Sequence, residues 1–377
     1  MRNSWIGLTL LIMGCQIGEE SSAQRMPQRV AVDSAGVSID QSRRTAITRA
    51  VEVVAPAVVS VSVTQVQRVQ VVDPYMSDPF FQYFFGRRGY RTMERQVHSV
   101  GSGFLVSPDG FLVTNDHVVT EAVEVKVSMP DGRTFDAAVI GSDPATDLAV
   151  LKVQADTTLP YLAFASSPVV VGEWAIALGN PFGLFEAAQP SVSVGVVSAF
   201  GRDFEPQEGR IYRDMIQTDA AINQGNSGGP LVNALGEVMG VNTFIYTASG
   251  GAGSIGLGFA VPASKVSRIV SEIRTTGRVD RSYYTGLYGM DVTDRIAKAV
   301  GLSSREGIFV RDVDPRSPAA VAGIQPYDVI IALGDEPVPD RDGFVARLYD
   351  FRPGDSVSVT IWREGEAFRT EFVIGRQ

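Results

Sequence analysis

Apolar and polar residues alternate along much of the chain, in runs short enough to be β-strands. The run AVVSVSVTQV begins at Ala57 and alternates with period two, and LAVLKV, WAIALG, VSVGVVSAF and GLGFAVP follow it between turn residues. Pro108-Asp109-Gly110 separates two apolar runs and predicts a hairpin turn. Short strands with almost no helix between them predict β-barrels or a β-sandwich.

The first helical pattern comes late. The run ASKVSRIVSEIRTTG predicts a helix from Pro262 to Thr276 that Gly277 ends, and this helix closes a large β domain assigned to residues 51–277. Residues 281–377 combine short strands, two small helices and a hairpin in which Val357, Val359 and Ile361 face one side. They form a second, separate module.

An aromatic insertion from Gln67 to Gln96 interrupts the strand pattern. Pro and Gly break it too often for a core strand, and exposing so many aromatic side chains would be costly. The insertion predicts a subunit contact, and a mobile loop or a loop that folds onto its own subunit is the alternative. Its aromatic residues are Phe80, Phe81, Tyr83, Phe84 and Phe85.

Composition excludes some functions. The 377 residues are 45% hydrophobic and 20% charged, and 33 basic against 42 acidic residues give a net charge of −9. No clustered basic surface is evident, so we expect no nucleic-acid binding.

The N-terminus predicts export. MRNSWIGLTLLIMGC has a basic residue, a short apolar stretch and then Cys15, the only cysteine, which excludes an internal disulfide and a cysteine metal cluster. Residues 1–14 are predicted to be a lipoprotein-type signal peptide with lipid on Cys15, and cleavage after Ala23 is the alternative. Residues 15–50 are polar and aperiodic, which predicts a flexible tether.

Candidate chemistry centres on Ser227 in QGNSGGPL, although glycine and serine also mark ordinary turns. A nucleophilic serine needs a base and an orienting acid. Of the two histidines, His98 is expected to be structural, whereas His117 follows an apolar strand. Asp116 adjoins His117, Asp143 precedes a proline as a turn former would, and Asp147 begins an apolar strand where it needs a partner.

The order His117, Asp147, Ser227 within TNDHVV, DLAVLKV and GNSGGPL resembles the HtrA/Deg family of serine proteases. The resemblance covers about Val51 to the C-terminus. It implies a mainly β chain, with a chymotrypsin-like double β-barrel followed by one PDZ domain. His117 would be the base, Asp147 the orienting acid and Ser227 the nucleophile, and no metal or organic cofactor is needed.

The same resemblance assigns backbone N–H groups of Gly225, Asn226 and Ser227 to the oxyanion hole and substrate-binding backbone. Digestive relatives have Asp in place of Asn226, so we expect no activation by a new N-terminus. Ala221 and Ile222 lie where the specificity pocket forms. An apolar pocket cannot compensate a buried cation, which predicts cleavage after Val, Ala or Ile.

The C-terminal module resembles a PDZ domain, which holds a peptide C-terminus on backbone N–H groups. Its carboxylate-binding loop is Tyr284-Thr285-Gly286-Leu287, in which Thr285 replaces a larger apolar residue. A small α/β domain without a ligand is the alternative. Because the connection from the helix is short, a bound peptide is expected either to tether substrate or to activate Ser227.

These features together predict an ATP-independent serine endoprotease of the bacterial cell envelope that degrades misfolded or unfolded proteins. The expected location is the periplasm, with a membrane anchor at Cys15, and the resemblance implies a homotrimer or a multiple of it. An envelope chaperone or peptide-binding scaffold, and a regulatory protease with one signalling substrate, remain open.

Overall fold

Two consecutive six-stranded barrels make up the N-terminal part of the computed structural model, which describes residues 44–72, 90–181, 189–204, 209–223, 225–245 and 256–377. The barrel order is β1-β2-β3-β6-β5-β4 in the first and β10-β11-β12-β9-β8-β7 in the second. The first barrel has strands β1 (Val58–Val72), β2 (Tyr90–Leu105), β3 (Phe111–Thr114), β4 (Ala122–Ser128), β5 (Thr134–Asp143) and β6 (Leu148–Val153). The second has β7 (Trp174–Gly179), β8 (Ser191–Arg202), β9 (Met215–Thr218), β10 (Pro230–Val232), β11 (Val238–Ile245) and β12 (Gly258–Pro262).

The fold class predicted from the sequence is therefore confirmed as mainly β with a double barrel. The predicted hairpin turn joins β2 to β3, with Gly110 at φ +97° and its N–H donating to Ser107 O. Gly110 tolerates that conformation because it lacks a Cβ, which would lie 2.7 Å from Val153 O.

Helices pack on the outside of the barrels. Helix α1 (Ala46–Val54) precedes β1, a short helix α2 (Asp116–Val119) follows β3, and α3 (Ala263–Thr276) follows β12. Helix α3 ends at Gly277, which has φ +76° and donates to Ile273 O, as predicted. Its buried residues recur at helical spacing and join the core between the barrels; they include Val266, Ile269, Val270 and Ile273.

The chain becomes ordered earlier than the sequence pattern indicates. The predicted tether was to end at residue 50, which lies inside α1, where Ala50 and Val54 are fully enclosed in the core. Ile47, Ala50, Val51 and Val54 follow the spacing of an amphipathic helix, and this was the missed signal. No helix in the described part of the chain is long and apolar enough to cross a membrane.

The ends of the aromatic insertion also differ from the prediction. Strand β1 continues to Val72 and β2 starts at Tyr90, with these two residues paired. The expectation that strand structure stops at Gln67 and resumes only after Gln96 is wrong. The two strands continue past the barrel core because each supplies the backbone hydrogen-bond partners of the other. The aromatic cluster from Phe80 to Phe85 lies outside the described residues.

The C-terminal module is built on a sheet of order β14-β15-β16-β18-β19, with β17 beside β16 and a small β13-β20 pair. Its strands are β13 (Tyr283–Tyr284), β14 (Leu287–Asp291), β15 (Ile308–Val313), β16 (Val329–Leu333), β17 (Glu336–Pro337), β18 (Ser356–Arg363), β19 (Glu366–Val373) and β20 (Gly375–Arg376). Its helices are α4 (Asp294–Val300), α5 (Pro318–Val321) and α6 (Arg341–Leu348). Val357, Val359 and Ile361 are buried together, as predicted.

Residues Ala46–Gln377 form one compact unit, and charged contacts join the C-terminal module to the barrels within it. Arg213, only 5% exposed, donates to Asp350 at 2.7 Å and bridges to Glu336. Burial alone would lower the pKa of Arg213, but the nearby carboxylates of Asp350, Asp203 and Glu336 raise it. This side chain therefore stays charged at the junction.

Asp143 forms the expected turn and does more. Thr146 N–H donates to Asp143 O, and the hydroxyl of Thr146 donates to its carboxylate at 2.6 Å. The buried carboxylate also pairs with the guanidinium of Arg281, whose Nε lies 2.9 Å from Asp143 Oδ1. Asp143 thus connects the first barrel to the start of the C-terminal module.

Candidate active site

His117 and Asp147 form a close pair in the first barrel. His117 Nδ1 lies 2.8 Å from Asp147 Oδ2, and the backbone N–H of His117 donates to Asp147 Oδ1 at 3.0 Å. The Asp147 side chain is 1% exposed and that of His117 is 37% exposed. A buried carboxylate facing Nδ1 favours the tautomer protonated there, which leaves Nε2 with a lone pair to accept a proton.

Helix α2 and the turn before β6 bring this pair together. Asp147 has φ +58°, an uncommon conformation for a residue with a Cβ, and strain of this kind concentrates at functional sites. The side-chain amide of Asn115 holds it by donating to Asp147 O at 2.8 Å. The guanidinium Nε of Arg210 lies 3.4 Å from Asp147 Oδ1. Sequence reasoning found neither Asn115 nor Arg210.

Ser227 lies in a turn that only glycines can complete. Gly225 has φ +111° and Gly228 has φ +82°. A Cβ on Gly228 would lie 2.2 Å from Ser102 O, so the turn sits directly against the first barrel. Ser102 N–H also donates to Ser227 O at 3.0 Å. The nucleophile candidate is therefore anchored across the barrel interface.

Hydrogen bonds through Thr243 connect the three candidate residues. The hydroxyl of Ser227 donates to Thr243 O at 3.2 Å. Asn115 Nδ2 contacts Thr243 Oγ1 at 3.3 Å while it also holds Asp147 O. One network thus joins Ser227 in the second barrel to the His117–Asp147 pair in the first. A hydroxyl carries a single proton, so Ser227 must leave Thr243 before it can donate to His117.

The oxyanion prediction needs one correction. The N–H of Asn226 donates to Asn223 O at 3.0 Å, inside the turn itself. Asn226 is therefore not a third donor in this conformation, because its one backbone proton closes the turn. Within the described part of the chain, the N–H groups of Gly225 and Ser227 have no hydrogen-bond partner. These two remain the oxyanion candidates.

Ala221 and Ile222 have different surroundings. Ala221 is partly exposed, and its carbonyl accepts from Ser193 Oγ at 2.6 Å and from Asn226 Nδ2 at 3.3 Å, beside the serine turn. Ile222 is 1% exposed and packs in the core of the second barrel against Gly258. Ile222 is therefore a core residue, and Ala221 is the more exposed of the two beside the serine turn.

Two further residues considered in the sequence analysis are His98 and Cys15. His98 is exposed on β2, with Nδ1 3.3 Å from Thr64 Oγ1, which fits the expected structural or surface role. Cys15, the candidate lipid attachment point, lies outside the described residues.

The loop of the C-terminal module has the backbone that carboxylate binding needs. Gly286 is buried with φ +74°, and a Cβ there would lie 2.1 Å from Ser317 Cβ. The following strand β14 pairs with β15 on one side only and forms an edge of the sheet, where an extended peptide could add. The loop therefore leads directly into the free edge strand.

Side chains around this loop are held by hydrogen bonds. Tyr284 donates its phenol to Asp314 at 2.6 Å, and Tyr288 also contacts that carboxylate, at 3.2 Å. The hydrogen bond to Asp314 raises the pKa of Tyr284 to about 12, so the phenol remains a donor at neutral pH. Thr285 Oγ1 accepts from Leu287 N–H at 3.3 Å and so occupies one of the loop's own donors.

The double barrel and the Asp147–His117–Ser227 network define the class of trypsin-like serine peptidases. A model of the trypsin-like peptidase domain matches residues 101–241, and a PDZ domain model matches residues 284–371. The solved structure of the HtrA-type protease AlgWS227A with a decapeptide is 35% identical, with a TM-score of 0.67 over 88% of this chain and 97% of that chain. AlgW with a tripeptide is 34% identical with a TM-score of 0.63. The chain belongs to the HtrA-type family of serine proteases.

Curated relatives agree with this membership. A DegP-like periplasmic serine endoprotease of Chlamydia pneumoniae is 42% identical over 310 residues, which are 80% of this chain and 60% of the relative. One of the same description from Rhizobium meliloti is 42% identical over 291 residues, or 77% of this chain and 56% of the relative. The chain therefore spans less than two thirds of the length of these relatives.

Proposed function

We propose that this chain is a serine endopeptidase that cleaves proteins through an acyl-enzyme at Ser227. The buried Asp147 carboxylate, 2.8 Å from His117 Nδ1, is the observation that carries the proposal. In the first step Ser227 Oγ attacks the peptide carbonyl while His117 Nε2 takes its proton. His117 then gives that proton to the leaving amine, and water hydrolyses the ester with the same base.

The oxyanion of each tetrahedral intermediate would lie against the N–H groups of Gly225 and Ser227. Such donors stabilise the transition state because they are already oriented in a site from which water is excluded. Asp147 would fix the His117 tautomer and stabilise the imidazolium. The side-chain amide of Asn115 would keep the strained backbone of Asp147 in place by donating to the Asp147 carbonyl.

Substrates are proposed to be unfolded or misfolded proteins of the bacterial periplasm, in protein quality control. The relatives are named periplasmic endoproteases, and the N-terminal sequence has the form of an export signal, which supports this location. A chaperone or scaffold would slow aggregation of an unfolded protein without producing fragments. A regulatory protease would leave most unfolded proteins uncut.

Casein digestion combined with covalent labelling tests the activity. We expect purified protein to cut casein, and a fluorophosphonate to inactivate it by modifying Ser227, as located by peptide mass spectrometry. Heat-denatured protein is the control and should not be labelled, because an isolated serine hydroxyl is a weak nucleophile. Intact casein, or label on other residues only, would contradict the proposal.

Cleavage is predicted to follow small or medium aliphatic residues such as Val, Ala and Ile. Ala221 offers no charge to the pocket beside the serine turn, and a buried Lys or Arg without a counter-charge is strongly unfavourable. The new C-termini of casein fragments, identified by mass spectrometry, give the distribution directly. A majority of Lys and Arg at these termini would show that a carboxylate elsewhere sets the specificity.

The PDZ loop is proposed to bind peptide C-termini. A ligand carboxylate must compete with Thr285 Oγ1 for the N–H of Leu287. Thr285→Val keeps the side-chain shape and removes the competitor, so we expect Kd for an apolar C-terminal peptide to fall about three- to tenfold, since one hydrogen bond is worth about 1 kcal/mol. Fluorescence anisotropy measures this, with the C-terminally amidated peptide as control. Weaker binding by the variant would mean that Thr285 donates to the ligand instead.

Assembly and anchoring complete the proposal. The aromatic insertion favours a subunit contact, and the family resemblance favours a homotrimer or a multiple of it. A monomer mass in light scattering at micromolar concentration would contradict this assembly. Cys15 after Gly14 favours a lipid anchor in the membrane, and a mature N-terminus beginning after Ala23 would contradict it.

A further inference from the structure

Ser102, on β2, is a fully buried serine whose polar groups are all engaged. Its N–H donates to Ser227 O at 3.0 Å, and its carbonyl accepts from Thr114 Oγ1 at 2.7 Å. Its hydroxyl donates to Gly225 O and accepts from Asn180 N–H, the latter at 2.7 Å. A single residue of the first barrel therefore holds the serine turn at two points and the segment after β7 at a third.

The neighbouring strand offers a contrast. Ser60 on β1 pairs directly with Ser102 and is equally buried. The hydroxyl of Ser60, however, has no hydrogen-bond partner among the described residues. Burial of a serine at this level of the barrel thus does not by itself require a bonded hydroxyl, and the bonds of Ser102 reflect its position against the active site.

The serine turn needs an external restraint at Gly225. Glycine reaches positive and negative φ with similar ease, so the peptide units on both sides of Gly225 can rotate at little cost. Neighbouring Asn226 closes the turn through its N–H to Asn223 O and accepts from Gly229 N–H at 2.9 Å, but neither bond involves Gly225 itself. The Ser102 hydroxyl fixes the Gly225 carbonyl, and the Asn180 N–H fixes the hydroxyl in turn, so each bond of this chain polarises the other.

We propose that Ser102 is a positioning residue of the oxyanion hole. Its hydroxyl clamps the Gly225 carbonyl to the Asn180 N–H, while its own N–H clamps Ser227 O. The two clamps hold the peptide units 225–226 and 227–228. These units flank the one that carries the Ser227 N–H, and the first of them also limits rotation at Gly225, so together they keep the N–H groups of Gly225 and Ser227 directed at the developing oxyanion. Ser102 acts through the turn and contacts neither substrate nor Ser227 Oγ. This inference rests on the proposed peptidase function.

Ser102→Ala tests it, because the variant keeps the N–H clamp and loses only the hydroxyl. Removing a whole oxyanion donor lowers kcat by about 100- to 1000-fold, so loosening one should lower kcat by about 10- to 100-fold. KM should change less than threefold. The inhibition constant of a peptide boronic acid, which resembles the transition state, should rise by the same factor as kcat falls. That of the corresponding product peptide should stay within threefold.

Ser60→Ala is the matched control and should keep kcat within twofold of the wild type. A kcat of Ser102→Ala within twofold of the wild type would overturn the inference. Equal weakening of boronic acid binding and product peptide binding would overturn it too, because it would indicate general disorder of the active site. If Ser102→Ala fails to fold, Ser102→Cys retains a weaker donor and should give an intermediate kcat; wild-type kcat in that variant would also overturn it. A wild type that no fluorophosphonate labels overturns the peptidase function itself, and is thereby distinguished from failure of the clamp alone.

Discussion

Alanine in place of Ser227 is expected to lower kcat for casein or peptide hydrolysis by about 10⁵- to 10⁶-fold. The variant loses the oxygen that forms the acyl-enzyme, and His117 then has no hydroxyl to deprotonate. The residual rate would come from the oxyanion donors and substrate binding alone. Hydrolysis of a chromogenic peptide, followed over hours at high enzyme concentration, measures a loss of this size.

Stability should hardly change in the same variant. The Ser227 hydroxyl is part-buried and, among the residues that the structure describes, makes one hydrogen bond, to Thr243 O at 3.2 Å, so its removal costs little. The thermal unfolding midpoint should therefore stay within a few degrees of the wild type. Ser60→Ala is the control variant and should keep both the stability and the activity of the wild type. A Ser227→Ala enzyme that digests casein at the wild-type rate would exclude Ser227 as the nucleophile.

Much of this site was accessible from sequence because its residues stand out locally. His117 and Asp147 are polar residues at the edges of apolar strands, and Ser227 lies in a glycine-rich turn. A buried carboxylate needs a partner, and this argument favours Asp147 as the partner of His117. The structure shows the contact at 2.8 Å.

The supporting residues could not be found in this way. Ser102, Asn115 and Thr243 have neutral polar side chains within or beside strands, where such residues are common. Their importance comes from contacts with residues distant in sequence, such as Asn115 with Asp147 and with Thr243. Strand periodicity predicts which face a residue occupies, but it does not predict which loop of the other barrel lies against it.

Asn226 and Asp143 also show that contacts in the folded chain decide roles that local sequence cannot predict. The resemblance assigns the Asn226 N–H to the oxyanion hole, but in the structure this N–H donates to Asn223 O and closes the turn. The local prediction of a turn at Asp143 was correct, yet the carboxylate also binds Arg281 from the C-terminal module. Local chemistry was predictable in both cases, and long-range packing decided the final role.

Asparagine in place of Asp147 is expected to lower kcat at neutral pH by about 10⁴-fold while the fold is retained. The backbone N–H of His117 donates to Oδ1 at 3.0 Å, and the Arg210 guanidinium also faces that atom, so the amide oxygen must occupy the Oδ1 position. The amide nitrogen then takes the place of Oδ2, 2.8 Å from His117 Nδ1. Two donors cannot share that contact.

His117 Nδ1 also lies 3.0 Å from Oδ1, but that oxygen already accepts from the backbone N–H of His117, so the shorter contact with the amide nitrogen decides the tautomer. The ring then accepts at Nδ1 and carries its proton on Nε2, where it can no longer receive the proton of Ser227. Asp143→Asn is the matched control, since that carboxylate is equally buried but pairs with Arg281. We expect it to lower thermal stability and to leave kcat within threefold of the wild type. Steady-state kinetics on a chromogenic peptide compare the two variants. Equal losses of kcat in both, or an Asp147→Asn enzyme within tenfold of the wild type, would show that Asp147 does not set the tautomer of His117.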